Sequence, residues 1–141
     1  MYGERVLDEI PEGWEDWLAL FGARLPAPVR RSEHPDGSLT FVAGDPPLVI
    51  VRLGRTSVRV AQVRRLSART NARVVHFRWI GHVRWRGWPG RLSVRVAEQL
   101  ITAAREARLA TYGRCFICNR RVPPEWMADA DRCLRCSRSG G

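Results

Sequence analysis

The chain has 141 residues, 45% of them hydrophobic, which fits one ordinary domain or a small domain with an appendage. Its formal net charge is +10, and every one of its 24 Lys-or-Arg residues is arginine. The apolar content excludes wholesale disorder, and no apolar run approaches the roughly 18 residues that a membrane-spanning helix needs.

Residues 12–25 predict a helix. Trp14, Trp17, Leu18 and Phe21 recur at helical spacing, Glu15 and Asp16 suit its positive end, and Pro26 and Pro28 stop it. The two tryptophans read as core anchors. Residues 29–33 and 39–43 predict strands around the turn His34-Pro35-Asp36-Gly37-Ser38. Gly44-Asp45-Pro46-Pro47 breaks the chain, residues 48–53 form an apolar strand, and residues 56–63 form another after Gly54-Arg55. Residues 64–72 are polar and arginine-rich, a short helix or a loop.

Residues 73–88 alternate. Val75, Phe77, Trp79, Val83 and Trp85 occupy odd positions, and His76, Arg78, His82, Arg84 and Arg86 even ones. A strand sends these two sets to opposite faces, so the odd set is expected to pack inward and the even set to form one cationic face. Gly81 is expected to bend, bulge or turn the strand. Residues 92–110 predict the second helix, with Ser93 as N-cap and a stripe of Val94, Ala97, Leu100, Ile101 and Ala104. Gln99, Arg105, Glu106 and Arg108 are expected to face elsewhere, and Tyr112-Gly113 to end the helix. The expected fold is α+β. A small antiparallel sheet with an N-terminal and a C-terminal helix fills residues 1–111, and a C-terminal four-cysteine zinc finger fills residues 112–141.

The only four cysteines form two C-x2-C pairs, Cys115/Cys118 and Cys133/Cys136, with fourteen residues between them. Two such turns facing each other offer four soft sulfur donors in a tetrahedron, the arrangement Zn²⁺ takes. The loop is one residue shorter than the usual ribbon spacing. Disulfides are the competing reading. No secretory signal is read at the N-terminus, and a cytoplasmic protein is expected, where disulfides are rare. Four cysteines fill the coordination sphere, so the metal is expected to be structural. Asn119 follows the second cysteine, where a knuckle turn calls for a residue that tolerates positive φ.

The charge is unevenly placed. Residues 1–45 hold nine acids and four arginines, residues 46–97 twelve arginines and no acid, and residues 98–141 eight arginines and five acids. Such polarity points to an anionic partner. Arginines interleaved with aromatics on strands suit nucleic acid, phosphates meeting guanidinium and bases stacking on rings. The expected contact residues are Arg59, Arg64, Arg65, Arg69, Arg73, His76, Arg78, His82, Arg84 and Arg86. A merely solvated arginine face is the bland alternative. His76 has no carboxylate within twenty residues along the chain, the nearest to His82 is Glu98, sixteen residues on, and no histidine lies within or beside the cysteine module. These facts weigh against a zinc-supported nuclease. No nucleophile elbow, phosphate loop or catalytic metal motif is present.

The stretch from Tyr112-Gly113 through Cys115-Phe116-Ile117-Cys118, Val122-Pro123 and Ala128 to Arg132-Cys133-Leu134-Arg135-Cys136 resembles the zinc finger of the TraR/DksA family. Members of that family bind bacterial RNA polymerase and alter promoter use. The resemblance covers about thirty residues, and residues 1–111 carry none of it. The loop between pairs is shorter than the family's, Trp126 stands where leucine is usual, and Asn119 replaces a glycine. No long coiled-coil hairpin with an acidic tip precedes the finger, so the family's route into the polymerase is not carried over.

The expectation is a non-enzymatic, zinc-binding regulatory protein of a bacterium or phage. It would act on transcription by binding nucleic acid, RNA polymerase or another large acidic-surfaced assembly, with no membrane and no small-molecule substrate. An inhibitor of another large host nucleic-acid enzyme is the alternative.

Overall fold

The computed structural model describes residues 13–67, 74–85 and 90–139. Helix α1 (Trp14–Arg24) leads into five strands: β1 (Val29–Glu33), β2 (Leu39–Ala43), β3 (Val49–Leu53), β4 (Ser57–Ser67) and β5 (Val74–Arg84). Helix α2 (Gly90–Ala110) follows. The small C-terminal module holds β6 (Gly113–Arg114), β7 (Arg121–Val122), a 3₁₀ turn at Pro124–Trp126 and α3 (Leu134–Ser139). The strands pair in chain order as an antiparallel meander, so the α+β expectation holds.

Local chemistry sets the turns. In the β1–β2 hairpin, Asp36 Oδ1 accepts from the Ser38 backbone N–H at 2.9 Å and from the Ser38 hydroxyl at 2.6 Å, while Gly37 takes φ 86°. These bonds from Ser38 hold the Asp36 carboxyl below its usual value. Helix α1 begins after Gly13, which sits at φ 93°, and its last-turn Arg24 faces the negative end of the helix dipole.

Helices α1 and α2 cover one face of the sheet. Trp14, Trp17 and Phe21 of α1 and Ala97, Ile101 and Ala104 of α2 are buried with Leu39, Phe41, Val49, Val51, Leu53, Val58, Val60 and Val83. Each fully buried large apolar side chain of this kind is worth about 1.5–3 kcal/mol. The Phe21 and Phe41 rings lie 5.3 Å apart, and Trp14 Nε1 donates to the Gly54 carbonyl at 3.0 Å. Both tryptophans of α1 are therefore core anchors, one with its polar atom satisfied.

Two irregularities in the β4–β5 ladder change what the alternation meant. Val60 pairs with Gly81 but Ala61 pairs with Trp79, so Ile80 is an extra residue. Val63 pairs with Phe77 but Arg65 with His76, so Arg64 is extra on the other strand. One extra residue moves every later side chain to the other face. Val83 therefore joins the helix-covered core, whereas Val75 and Trp79 join a second cluster with Ile50, Ala61 and Val63 on the opposite face. The single inward row expected from Val75 to Trp85 is split in two. Val42 of β2 and Val75 of β5 belong to that second cluster and line one cavity of about 260 Å³, although two strands separate them in the sheet. The bulged hairpin thus curls over its own outer face.

Helix α2 starts at Gly90, three residues before Ser93, which is buried inside it. Ser93 is therefore no N-cap. Residues 64–67 continue β4 rather than forming a helix or loop, and residues 68–73 lie outside the described residues. No helix among the described residues is long and apolar enough to cross a membrane.

Candidate metal centre and basic sheet face

The cysteine module is built from two turns. The Asn119 backbone N–H donates to the Cys115 carbonyl at 2.8 Å and Asn119 adopts φ 61°, closing the first knuckle as its sequence position predicts. The Cys115 N–H donates to the Arg120 carbonyl at 2.9 Å, and β6 pairs with β7. Cys133 bridges to Met127 and leads into α3, which carries Cys136.

The four sulfurs lie within 4.8 Å of one another. Cys118 and Cys133 Sγ are 3.9 Å apart, far beyond the roughly 2.05 Å of a disulfide, and all four cysteines are free. A tetrahedron with metal–sulfur bonds of about 2.3 Å has sulfur–sulfur edges of about 3.8 Å, so the spacing fits one four-coordinate ion. Backbone N–H groups of Cys118 first and Cys133 next, directed at its sulfur, pull Cys115 down to about 6. Cys136 is pushed up to about 12, first by its bond to the Cys133 sulfur and then by burial. The Cys136 N–H also reaches the Cys133 sulfur at 3.5 Å. Such backbone donors orient thiolates in a metal site.

A buried ion pair ties this module to the body. Arg108, at 1% exposure, grips Glu125 of the 3₁₀ turn with both nitrogens, at 3.2 and 2.7 Å. The same guanidinium donates to the Arg64 carbonyl at 3.1 Å, on the extra residue of the β4 bulge. It lies 5.5 Å from the Tyr112 ring centre, and burial raises the Tyr112 hydroxyl above its usual value. Arg121 adds a bond to the Leu109 carbonyl at 2.8 Å. The expectation that Arg108 faces away from the core is corrected. Its signal was present: Ala97, Ile101, Ala104 and Arg108 recur at helical spacing, so Arg108 prolongs the buried stripe.

The cationic residues expected to share one face divide. His82 and Arg84 follow the Ile80 bulge and lie on the outer face, because His82 pairs with Arg59 between the core pairs Val58–Val83 and Val60–Gly81. Arg78 pairs with Gln62, between Ala61–Trp79 and Val63–Phe77, which places it on the other face. His76, next to Phe77, falls on Arg78's side, so His76 and His82 do not form a pair. Arg64 and Arg65 are exposed at the second bulge. Arg69, Arg73 and Arg86 lie outside the described residues.

On the outer face, successive pairings give one row across the sheet: Ser32, Thr40, Arg52, Arg59, His82. The next row is Arg30, Val42, Ile50, Ala61, Trp79. Arg59 lies over the Trp79 ring at 4.3 Å, and Phe77 packs edge-on to Trp79 at 5.3 Å while remaining 44% exposed. Arg52 is held by Asp36 at 3.2 Å and by the Ser38 hydroxyl at 3.1 Å. Sequence reading did not single out Arg52, whose place in the row follows from strand register alone.

Comparison with known protein families, with curated proteins and with solved structures finds no match. The resemblance to the TraR/DksA finger therefore rests on the finger's own residues.

Proposed function

We propose that this chain is a non-enzymatic, Zn²⁺-stabilised regulatory protein that attaches to nucleic acid through the outer face of its sheet and acts on transcription. The observation that carries the reading is the row Arg52–Arg59–His82 beside Trp79 and Phe77. Like charges directly opposite each other on neighbouring strands are destabilising, and Arg52 faces Arg59. Asp36 offsets the charge of Arg52, so a polyanion laid along the row would meet chiefly the exposed Arg59 and His82, and the exposed Phe77 ring beside it offers a base a stacking surface. Aromatic rings set among arginines on a sheet face suit a single strand, whose bases are free to splay.

Zinc is the ion the donor set supports, because four cysteine thiolates at tetrahedral spacing leave no open position. Its role is to hold the finger, and the finger's likeness to the TraR/DksA type supports a place in transcription. The binding test uses a labelled single-stranded oligonucleotide and fluorescence anisotropy. Phe77→Ala and Arg59→Glu are each expected to weaken binding by about tenfold, in line with a lost stacking or phosphate contact. Arg105→Glu, on the exposed side of α2, is expected to leave it unchanged. Equal loss in all three variants, or none in any, contradicts the assignment to this face.

A further inference from the structure

The finger carries a second surface that shares no residue with the sheet face. Its core is Cys115, Val122, Cys133 and Cys136, packed by Trp126 and Met127. Three large apolar side chains are left outside: Phe116 is 82% exposed, Ile117 61% and Leu134 37%. A metal-stapled module of this size does not need them for folding, and clustered exposed apolar groups mark interaction sites. Leu134 also walls a groove of about 610 Å³, together with Val122, Trp126 and the cysteines Cys118 and Cys133. Arg120, Arg135 and Arg138 also line it, and no carboxylate does.

We infer that this groove docks an acidic, amphipathic segment of a partner protein. The volume suits one or two large apolar side chains seated against Val122 and Leu134. Carboxylates flanking those anchors would meet Arg120 and Arg138, since arginine binds carboxylate with a planar fork of donors. The metal reading decides between a peptide and a nucleic acid here. Four thiolates on Zn²⁺ carry a net charge of about −2, and Cys118 and Cys133 form part of the wall. A sugar–phosphate backbone would run against that charge. A peptide places neutral apolar groups and backbone N–H donors there and keeps its negative charge at the rim.

The test pans a random library of phage-displayed peptides, about twelve residues long, against the zinc-loaded full chain. Selected sequences are then synthesised and measured by fluorescence anisotropy. Enrichment of Asp or Glu together with Leu, Ile, Phe or Trp is expected. The variant Leu134→Ser should lose about tenfold or more in peptide affinity, as truncated anchors do. Arg120→Glu/Arg138→Glu should do the same. Both should keep the parent's zinc content and its affinity for a single-stranded oligonucleotide, so failure here is separable from failure of the sheet-face reading. Should one variant lose zinc, the other decides. Selection of sequences without acidic and apolar enrichment overturns the proposal. So does a zinc-loaded variant that binds the selected peptide as tightly as the parent, or one that loses oligonucleotide affinity in its place.

Discussion

A left-handed backbone and an indole ring meet at Gly13. Its φ is 93°, and a Cβ there would lie 2.8 Å from the Trp85 ring, itself packed 6.3 Å from Trp17. Gly13→Ala is therefore expected to lower stability by about 1–2 kcal/mol, read as a lower urea midpoint with unchanged slope. Gly81 is less constrained, since a Cβ there meets only the movable ends of Leu100. The cysteines give a residue-scale prediction of another kind. Metal binding needs thiolates, and Cys136, pushed up to about 12, must release its proton on binding, whereas Cys115 at about 6 is largely ionised at neutral pH. Raising the pH from about 6 to about 8 should strengthen metal affinity, with log K rising by about one unit or more per pH unit in a chelator competition assay. A flat profile would contradict this.

Among the elements, the Arg108–Glu125 pair joins α2, the β4 bulge and the finger's 3₁₀ turn. Removing one partner of a buried pair leaves a charge stranded, so Arg108→Met is expected to destabilise by about 3 kcal/mol. The double change Arg108→Met/Glu125→Met should recover much of that loss, as a thermal double-mutant cycle would show. Most strand and helix positions were legible because their apolar periodicity is strong, whereas β1, exposed throughout, was legible from its turn: residues 29–33 and 39–43 lie where their turn residues placed them. The cysteine cluster was legible too, its chemistry being written in spacing. The sidedness of β5 was legible only in part: Gly81 marked an irregularity and the extra residue is its neighbour Ile80, but nothing in the sequence separated a bulge from a bend or turn, or marked Arg64 as the extra residue of β4. The row Arg52–Arg59–His82 was not legible, since it exists only once three strands are in register. Arg108 was misread because charge outweighed its position on the buried stripe.

At the scale of the whole molecule, three buried clusters are distinct: the helix-covered face of the sheet, the cluster on its outer face and the cysteine module. Stripping the metal with a strong chelator should therefore disorder the finger and leave the sheet folded, yet lower its melting temperature because Glu125 no longer covers Arg108. Far-UV circular dichroism during heating, with and without chelator, reads both effects. The charge map has one functional consequence. Twelve arginines and no acid lie in residues 46–97, and the register places Arg52, Arg59 and Arg84 of that block on the outer face. Phosphate contacts release counterions, so attachment through that face must weaken with salt. The central claim is tested most directly by the affinity of the full zinc-loaded chain for a single-stranded oligonucleotide, measured across a range of salt concentrations. For the parent, log K should fall linearly with log salt, and Arg59→Ser/Arg84→Ser should make the slope shallower by about 1.4, roughly 0.7 for each lost contact. A double variant with the parent's slope and affinity, or a parent whose binding ignores salt, would contradict the account.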